Sequence, residues 1–289
     1  YCKYDYYFIV ESILENIDIN INKRNADEVI NKNYYKLTGP SFDFDSNTPL
    51  TISAQKENIE ILKLLLKQKM VDVNALCEYT KFRSDAYSNR ETERKTVFHI
   101  AIEKRNIDLI KLLLDIEDVD LNKDYTFVYS SYIGYDDISD ILNKMDDNFS
   151  QKWPPYESGS GWFVYDKYKP RNTQPLRGYV KQEKINALCK VVKDRNIEII
   201  KLLLSNEKID VNIKNQSFYL TIWGSGNYTY GNEMTPIFSA VSNNDLEIVE
   251  LLLQNTKVDC NIHNIDYEIG EGENKKEEVS PLYKAIMNQ

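Results

Sequence analysis

The sequence predicts a mostly α solenoid of stacked helix pairs, with elongated β-hairpin fingers and one long insert. Three observations predict it. A helical string recurs four times: NIEILKLLL from Asn58, NIDLIKLLL from Asn106, NIEIIKLLL from Asn196 and DLEIVELLL from Asp245. Each copy is followed at one spacing by a short polar tail, at Asp72 and Asn74, Asp120 and Asn122, Asp210 and Asn212, and Asp259 and Asn261. Ten residues before each string stands a helix-start signal: Thr48-Pro49, Thr96-Val97, Asn186-Ala187 and Thr235-Pro236.

The elements follow in chain order. Residues Ile9 to Asn20 read as the second half of a first unit, a helix ending in the tail Asp18-Ile19-Asn20. In each later unit Thr or Asn caps a short helix by accepting from an orphan N–H, and Pro is tolerated at the next position because its missing N–H has no helical partner there. The first helix turns at the Asn58-type position into a second, whose leucines lie three and four apart on one face. Neither helix buries that face alone; stacked pairs make one continuous core. A fifth start, Ser280-Pro281-Leu282, opens a lone helix to Met287, whose last layer calls for further repeats or a neighbouring chain to cover it. The organisation expected is 1–47, a partial repeat and linker; 48–122, two repeats; 123–185, an aromatic insert; 186–261, two repeats; and 262–289, an acidic loop and a truncated repeat.

These motifs resemble those of ankyrin-repeat proteins, of the divergent Asn- and Tyr-rich kind found in protists. The Thr48-Pro49-Leu50 start, the fuller Thr96-Val97-Phe98-His99-Ile100-Ala101 start, the second-helix string and the Asp-Val-Asn tail follow that family's order. Repetition at matched spacing makes the resemblance specific. Two departures stand out. The turn between the helices, where the family places Gly, reads Glu57, Arg105, Arg195 and Asn244, each expected to cost up to about 1 kcal/mol in the left-handed conformation, least for Asn. Unit starts are 48, 90, 49 and 45 residues apart, against the usual spacing of about 33.

The resemblance implies a β-hairpin finger between each tail and the next start, and all the extra residues fall there: 75–95, 123–185, 213–234 and 262–279. Insertions at one point per repeat map to one face of an array, often the binding face. The finger Ser217 to Trp223, the turn Gly224 to Asn227 and the strand Tyr228 to Tyr230 read as a hairpin with aromatics on alternate positions. The long insert holds thirteen aromatics, with an acidic half (Asp136 to Asp147) and a basic half (Lys167 to Lys184). A helix is expected over 137–145 and a strand over 162–168. Two readings stand for the aromatics: they pack on the repeats and on each other, or they form a protein-binding face, since Trp, Tyr and Arg are enriched at hot spots.

Composition narrows the function. Asp and Glu number 45 against 36 Lys and Arg, a formal charge of −9, which argues against nucleic acid. Apolar runs are too short and too interrupted for a membrane span. Four scattered cysteines with no Cys-x-x-Cys pair suggest a reducing interior and a cytoplasmic location. The Asn-x-Ser/Thr triplets at Asn148, Asn215 and Asn227 are read as chance in an Asn-rich chain. The chain begins at Tyr1 without Met and is read as a piece of a longer protein.

No catalytic constellation emerges. His99 fills the His slot of the repeat start, where the family uses it structurally, and His263 lies at a finger base without an evident Ser or Cys partner. Gly224 and Gly226 sit in a hairpin turn rather than a strand-to-helix phosphate site, and Asp43 to Ser46 lacks the Gly and closing Glu of a calcium loop. Asp-x-Asn tails are read as backbone-holding turns rather than metal ligands. Trp153-Pro154-Pro155-Tyr156 lacks the spacing of a proline-rich ligand. The expectation is a non-enzymatic protein-interaction module or adaptor without metal or cofactor, binding through Trp223, Tyr228, Tyr230, Trp162, Phe163, Tyr165 and Trp153. Two other readings stay open: a structural subunit of a large, cytoskeletal-type assembly, and an ankyrin segment attached to a catalytic domain outside this stretch.

Overall fold

The computed structural model describes residues 3–16, 20–24, 41–83, 89–131, 178–223, 226–269 and 274–288. It opens with helix α1 (Lys3–Asn16) and strand β1 (Ser41–Ser46), followed by the first helix pair, α2 (Pro49–Gln55) and α3 (Ile59–Leu66). Strands β2 (Cys77–Arg83) and β3 (Asn89–Lys95) lead to α4 (Val97–Glu103) and α5 (Ile107–Leu114). Strands β4 (Tyr125–Ser131) and β5 (Gly178–Ile185) lead to α6 (Ala187–Lys193) and α7 (Ile197–Leu204). Strands β6 (Asn215–Trp223) and β7 (Gly226–Met234) lead to α8 (Pro236–Ser242) and α9 (Leu246–Leu253). The chain ends with β8 (Asn264–Ile269), β9 (Asn274–Val279) and the lone helix α10 (Pro281–Met287).

Local chemistry sets the helix ends. Thr48, Asn186, Thr235 and Ser280 cap their helices, each accepting from the N–H three residues on. Asn58, Asn106, Asn196 and Asp245 do the same for the second helices. Between the two, Glu57, Arg105, Arg195 and Asn244 take φ of 53 to 56°, the left-handed geometry expected for these turns. Each turn closes with paired reverse bonds, as in Asn106 N–H to Ala101 C=O (3.1 Å) and Arg105 N–H to Ile102 C=O (3.0 Å), the Schellman pattern. One residue thus ends one helix while its neighbour caps the next.

The helix pairs stack along the chain order. Their core runs unbroken from Ile21 through Leu62, Leu65, Leu109, Leu113, Ile199, Leu203, Ile248 and Leu252. The tails bind neighbouring units together. Asn74 Nδ2 donates to the Asp118 carbonyl (2.7 Å) and its Oδ1 accepts from Asp120 N–H (2.8 Å). Asn122 repeats this with Lys208 and Asp210, and Asn212 with Lys257 and Asp259. Asn22 makes the first rung, to Met70 and Asp72. That places the N-terminal tail at Asn20-Ile21-Asn22, two residues beyond the expected Asp18-Ile19-Asn20: Asn22 N–H donates to Asn20 Oδ1 and Ile21 is buried, as Asn74, Asp72 and Val73 do one unit on.

The expectation of a mostly α solenoid is overturned. Among the described residues, nine strands hydrogen-bond in sequence order, β1 to β9, as one antiparallel sheet. Fingers pair not only within themselves but with each other, Arg94 opposite Thr126 and Gln182 opposite Phe218. The cause is a match of lengths. Packed helices lie about 8–10 Å apart, and two strands of a hairpin advance about 9.5 Å. Successive long fingers therefore arrive at strand spacing, and their otherwise unpaired edges close on one another. The insert 123–185 begins and ends in this sheet, with Tyr125 opposite Ile185 and Ser131 opposite Tyr179. Strand β1, where only a linker was expected, pairs with β2 throughout, Ser41 opposite Arg83 and Ser46 opposite Glu78. The helix expected over 137–145 and the strand over 162–168 lie outside the described residues.

Candidate protein-binding face of the finger sheet

Strand alternation sorts the finger side chains into two faces. One face is tied to the first helices. Tyr79 Oη donates to Asn47 Oδ1 beside α2 (2.8 Å), Lys95 Nζ reaches Glu103 of α4 (2.8 Å), and the rings of Tyr125 and His99 lie 6.2 Å apart. The registers place Tyr79, Glu93, Phe127, Glu183 and Ser217 in one row across the strands, and Lys81, Glu91, Tyr129, Lys181, Tyr219 and Tyr230 in the next row of the same parity.

Two lysines organise this face. Lys95 is buried, paired with Glu93 (2.8 Å) and Glu103, with its ammonium over the rings of Tyr79 (5.2 Å) and Tyr125 (5.4 Å). Burial opposes its charge, but the two carboxylates outweigh that and raise its pKa; Lys95 stays charged. Burial also raises the phenols of Tyr79 and Tyr125, which stay neutral. Lys181 repeats the arrangement nearer the finger tips: it pairs with Glu183 (2.9 Å) and lies over Phe127 (6.0 Å) and Tyr219 (5.3 Å). Desolvation opposes its charge, while bonds to Tyr219 and Glu183 raise its pKa. Tyr230 continues the row, its ring 6.2 Å from that of Tyr219 and 43% exposed. Cation–π contacts of this kind contribute about 0.5–1 kcal/mol each where partly exposed, so they help hold the rings in place.

The opposite parity forms a buried row: Thr80, Thr92, Val128, Gln182 and Phe218. The Thr80 and Thr92 hydroxyls bond at 3.0 Å. Gln182, Lys184, Gln216 and Phe218 line a shallow crevice there.

A comparison with protein families adds to this picture. The ankyrin-repeats family matches in three copies, over residues 2–126, 167–266 and 191–289. The chain belongs to the ankyrin-repeat family. Ankyrin repeats are generally protein–protein interaction modules. No curated protein matches the chain.

Within this ankyrin array the expected site residues fall as follows. Tyr230 sits on the aromatic face. Trp223 and Tyr228 lie on β6 and β7 at alternate positions with Tyr219 and Tyr230. Trp153, Trp162, Phe163 and Tyr165 lie outside the described residues. Sequence reasoning missed Phe127, Tyr129, Tyr219 and Lys181. The period-two run Tyr125, Phe127, Tyr129 carried the signal, hidden because the whole insert was read as one unit.

The residues weighed for chemistry are placed as well. His99 is buried; its Nδ1 accepts from Thr96 N–H (3.2 Å) and lies 2.9 Å from Thr96 Oγ1. Burial lowers its pKa to about 4, with the Lys123 backbone opposing and the Lys95 and Lys123 charges adding. His263 Nδ1 lies 3.8 Å from Glu278 at the surface. Asp43 to Ser46 is strand β1. The tail carboxylates accept from backbone, as Asp120 does from Asn122 N–H. Among the described residues, Cys77, Cys189 and Cys260 are free thiols, no group of three or more His, Cys, Asp and Glu is placed to hold a metal, and no helix is long and apolar enough to cross a membrane.

Proposed function

We propose that this ankyrin array is a non-enzymatic recognition module that binds a protein partner across the finger face and the first helices beside it. The observation that carries the reading is the cluster of Phe127, Lys181, Tyr219 and Tyr230 on one face, ordered by cation–π and ring contacts and half open to solvent. Rigid aromatic rings supply large contact area at low entropic cost. Continuous strand pairing fixes their spacing, so a partner meets a pre-organised surface rather than separate fingers. Trp223 and Tyr228 extend the proposed surface toward the finger tip. Trp153, Trp162, Phe163 and Tyr165 of the insert are proposed as a second contributor.

The test is affinity capture from native lysate with three forms of the chain: unaltered, Tyr219→Ala with Tyr230→Ala, and Lys111→Ala on the outer helix α5. Capture is expected to fall at least about tenfold for the double variant, as loss of hot-spot aromatics does, and to persist for Lys111→Ala. Equal capture by all three overturns the reading. Because β4 and β5 pair up to Ser131 and Tyr179, residues 132–177 can be replaced by a tight turn without breaking the sheet. Loss of the partner in that form assigns the insert a share of recognition, and retention removes it.

A further inference from the structure

Strand register sorts charge on the sheet as well as rings. The row of Tyr79, Glu93, Phe127 and Glu183 starts at Asp45 on β1 and ends at Asp266 and Glu277 on β8 and β9, with five carboxylates and no cation. The next row toward the finger tips is balanced, Lys81, Lys181 and Lys275 against Asp43, Glu91 and Glu268. At the finger base Lys95 is matched by Glu103, and on α6 Lys190 is taken by Asp194 (2.6 Å). These rows therefore leave the helix-side face with an excess of five negative charges. On the opposite face Glu78 pairs with Arg94 (3.0 Å), Glu233 with Lys214 (3.4 Å) and Glu278 with Lys276 (2.5 Å). The row there from Thr80 to Phe218 is uncharged.

The chain's own lysines show what the helix-side face holds. Lys95 and Lys181 each lie over rings on both flanking strands, beside a carboxylate two residues along their own strand. Rings and carboxylates there take the place of water around an ammonium group. Both lysines keep their charge although burial opposes it. Elsewhere on the face the carboxylates lack such a cation. Glu91, half-buried opposite Tyr129, forms no ion pair among the described residues, and neither do Asp45, Asp266 and Glu277. Asp266 and Glu277 stand directly opposite each other, a like-charge pair that costs a sheet stability until a cation meets it; Lys284 of α10 offsets part of that cost.

We infer, resting on the finger face as the recognition surface, that its protein partner presents a basic segment, whose Lys or Arg side chains lie along the carboxylate row and over the rings of Tyr129 and Tyr230 as Lys95 and Lys181 lie over theirs. Opposite charge steers such a segment to this face and turns acidic competitors away. Each incoming cation meets a ring and a carboxylate together. Arginine fits best, because its flat guanidinium both stacks on rings and bonds carboxylates in pairs.

The experiment selects a phage-displayed library of random peptides against the full chain, then measures the strongest binders, made synthetically, by fluorescence anisotropy. The selected pool is expected to be enriched in Lys and Arg and to bind more weakly as salt rises. Asp45→Asn with Glu91→Gln is expected to weaken binding about tenfold. Glu60→Gln with Glu198→Gln removes the same charge from the outer helices α3 and α7 and leaves binding unchanged; circular dichroism confirms that both variants are folded. A selected pool without basic residues, or no pool at all, overturns the proposal. If a non-basic pool still loses binding with Tyr219→Ala and Tyr230→Ala, the recognition surface stands and only its assigned chemistry falls. Basic peptides that bind both charge variants as tightly as the unaltered chain overturn the proposal too. So does equal weakening by the two pairs, since attraction to the overall charge of −9 then accounts for the selection.

Discussion

Replacing Arg105 by Gly tests whether the turn between the two helices of a unit holds backbone strain. Arg105 has φ of 53°, where Cβ crowds the following carbonyl at roughly 1–2 kcal/mol. Glycine removes that crowding but brings back about 0.4–1 kcal/mol of unfolded-chain freedom. The net expectation for Arg105→Gly, and equally for Glu57→Gly, is a gain of about 0.5–1 kcal/mol. Two turns serve as internal controls. Asn tolerates the left-handed region better, so Asn244→Gly should gain only a few tenths. Arg195 donates through Nε to Asp245 Oδ2 at 2.7 Å, and that carboxylate is 5% exposed while capping α9. Losing the pair offsets the relief, so Arg195→Gly should be neutral or destabilising, with the pair discounted because the arginine itself is largely exposed. Urea denaturation followed by circular dichroism gives the four values, provided the slope with denaturant stays constant. If Arg105→Gly and Glu57→Gly fail to stabilise, or if Arg195→Gly gains as much as they do, these turns hold no such strain.

Asn122→Ala removes two bonds that span the insert, to Lys208 and Asp210 at 2.8 Å each; at this exposed site the loss should be about 1 kcal/mol in urea melts, matching Asn74→Ala to within a few tenths. For His99 the sign runs downward with pH. The unfolded ring binds a proton near pH 6.5 and the folded one only near 4, so stability falls as pH drops through that window, by up to about 3 kcal/mol. His99→Thr, the residue the first unit carries there as Thr51, should flatten that loss in melts taken across the window. Lys95→Met strands Glu93 and Glu103, both about one-third exposed; a destabilisation of about 2 kcal/mol is expected, smaller in Lys95→Met with Glu103→Gln, and a thermal shift series on the single and double variants measures it.

What was legible in the sequence was what a few adjacent residues decide. Thr48, Asn58 and Glu57 each act through bonds to residues at most five away, so caps, turns and helix pairs could be placed from the string alone. The sheet could not. Strand β3 reads NRETERK and β9 NKKEEV, with no apolar alternation, and they are strands because neighbours in space pair with them. Strand β1, SFDFDS, does alternate Phe42 and Phe44 with polar residues, but the run is short and its partner β2 lies more than thirty residues away in sequence, so a linker is the simpler reading of the string alone. The N-terminal tail was misplaced because Asp18-Ile19-Asn20 matches the motif by letter, whereas burial of Ile21 and the bonds of Asn22 decide the register. Tyr230 can be placed beside Tyr219 from the string because their hairpin is compact in sequence. Phe127 and Tyr219 meet only through Lys181 on the strand between them, a contact made by folding.

Finger pairing also changes what the long inserts do for the array. A two-stranded hairpin alone is marginal in water, so separate fingers of this length would leave the face of Phe127, Tyr219 and Tyr230 without fixed geometry. Joined edge to edge, each finger is held by the next, and among the described residues β1 and β9 are the edge strands. Strand β9 guards its edge with Lys275, Lys276, Glu277 and Glu278, charges that discourage pairing with stray strands. On the proposed reading, a partner seated on one finger would meet neighbours whose spacing is set by backbone hydrogen bonds as well as by helix packing. Breaking one inter-finger seam should therefore weaken binding at rings on both sides of it while leaving the helix core intact. A proline in place of Val180, which pairs with both Ser130 and Leu220, would cut such a seam, because proline cannot donate to the ladder. If capture through Tyr219 and Tyr230 survived that change undiminished, the fingers would be acting singly and the continuous sheet would have no part in recognition.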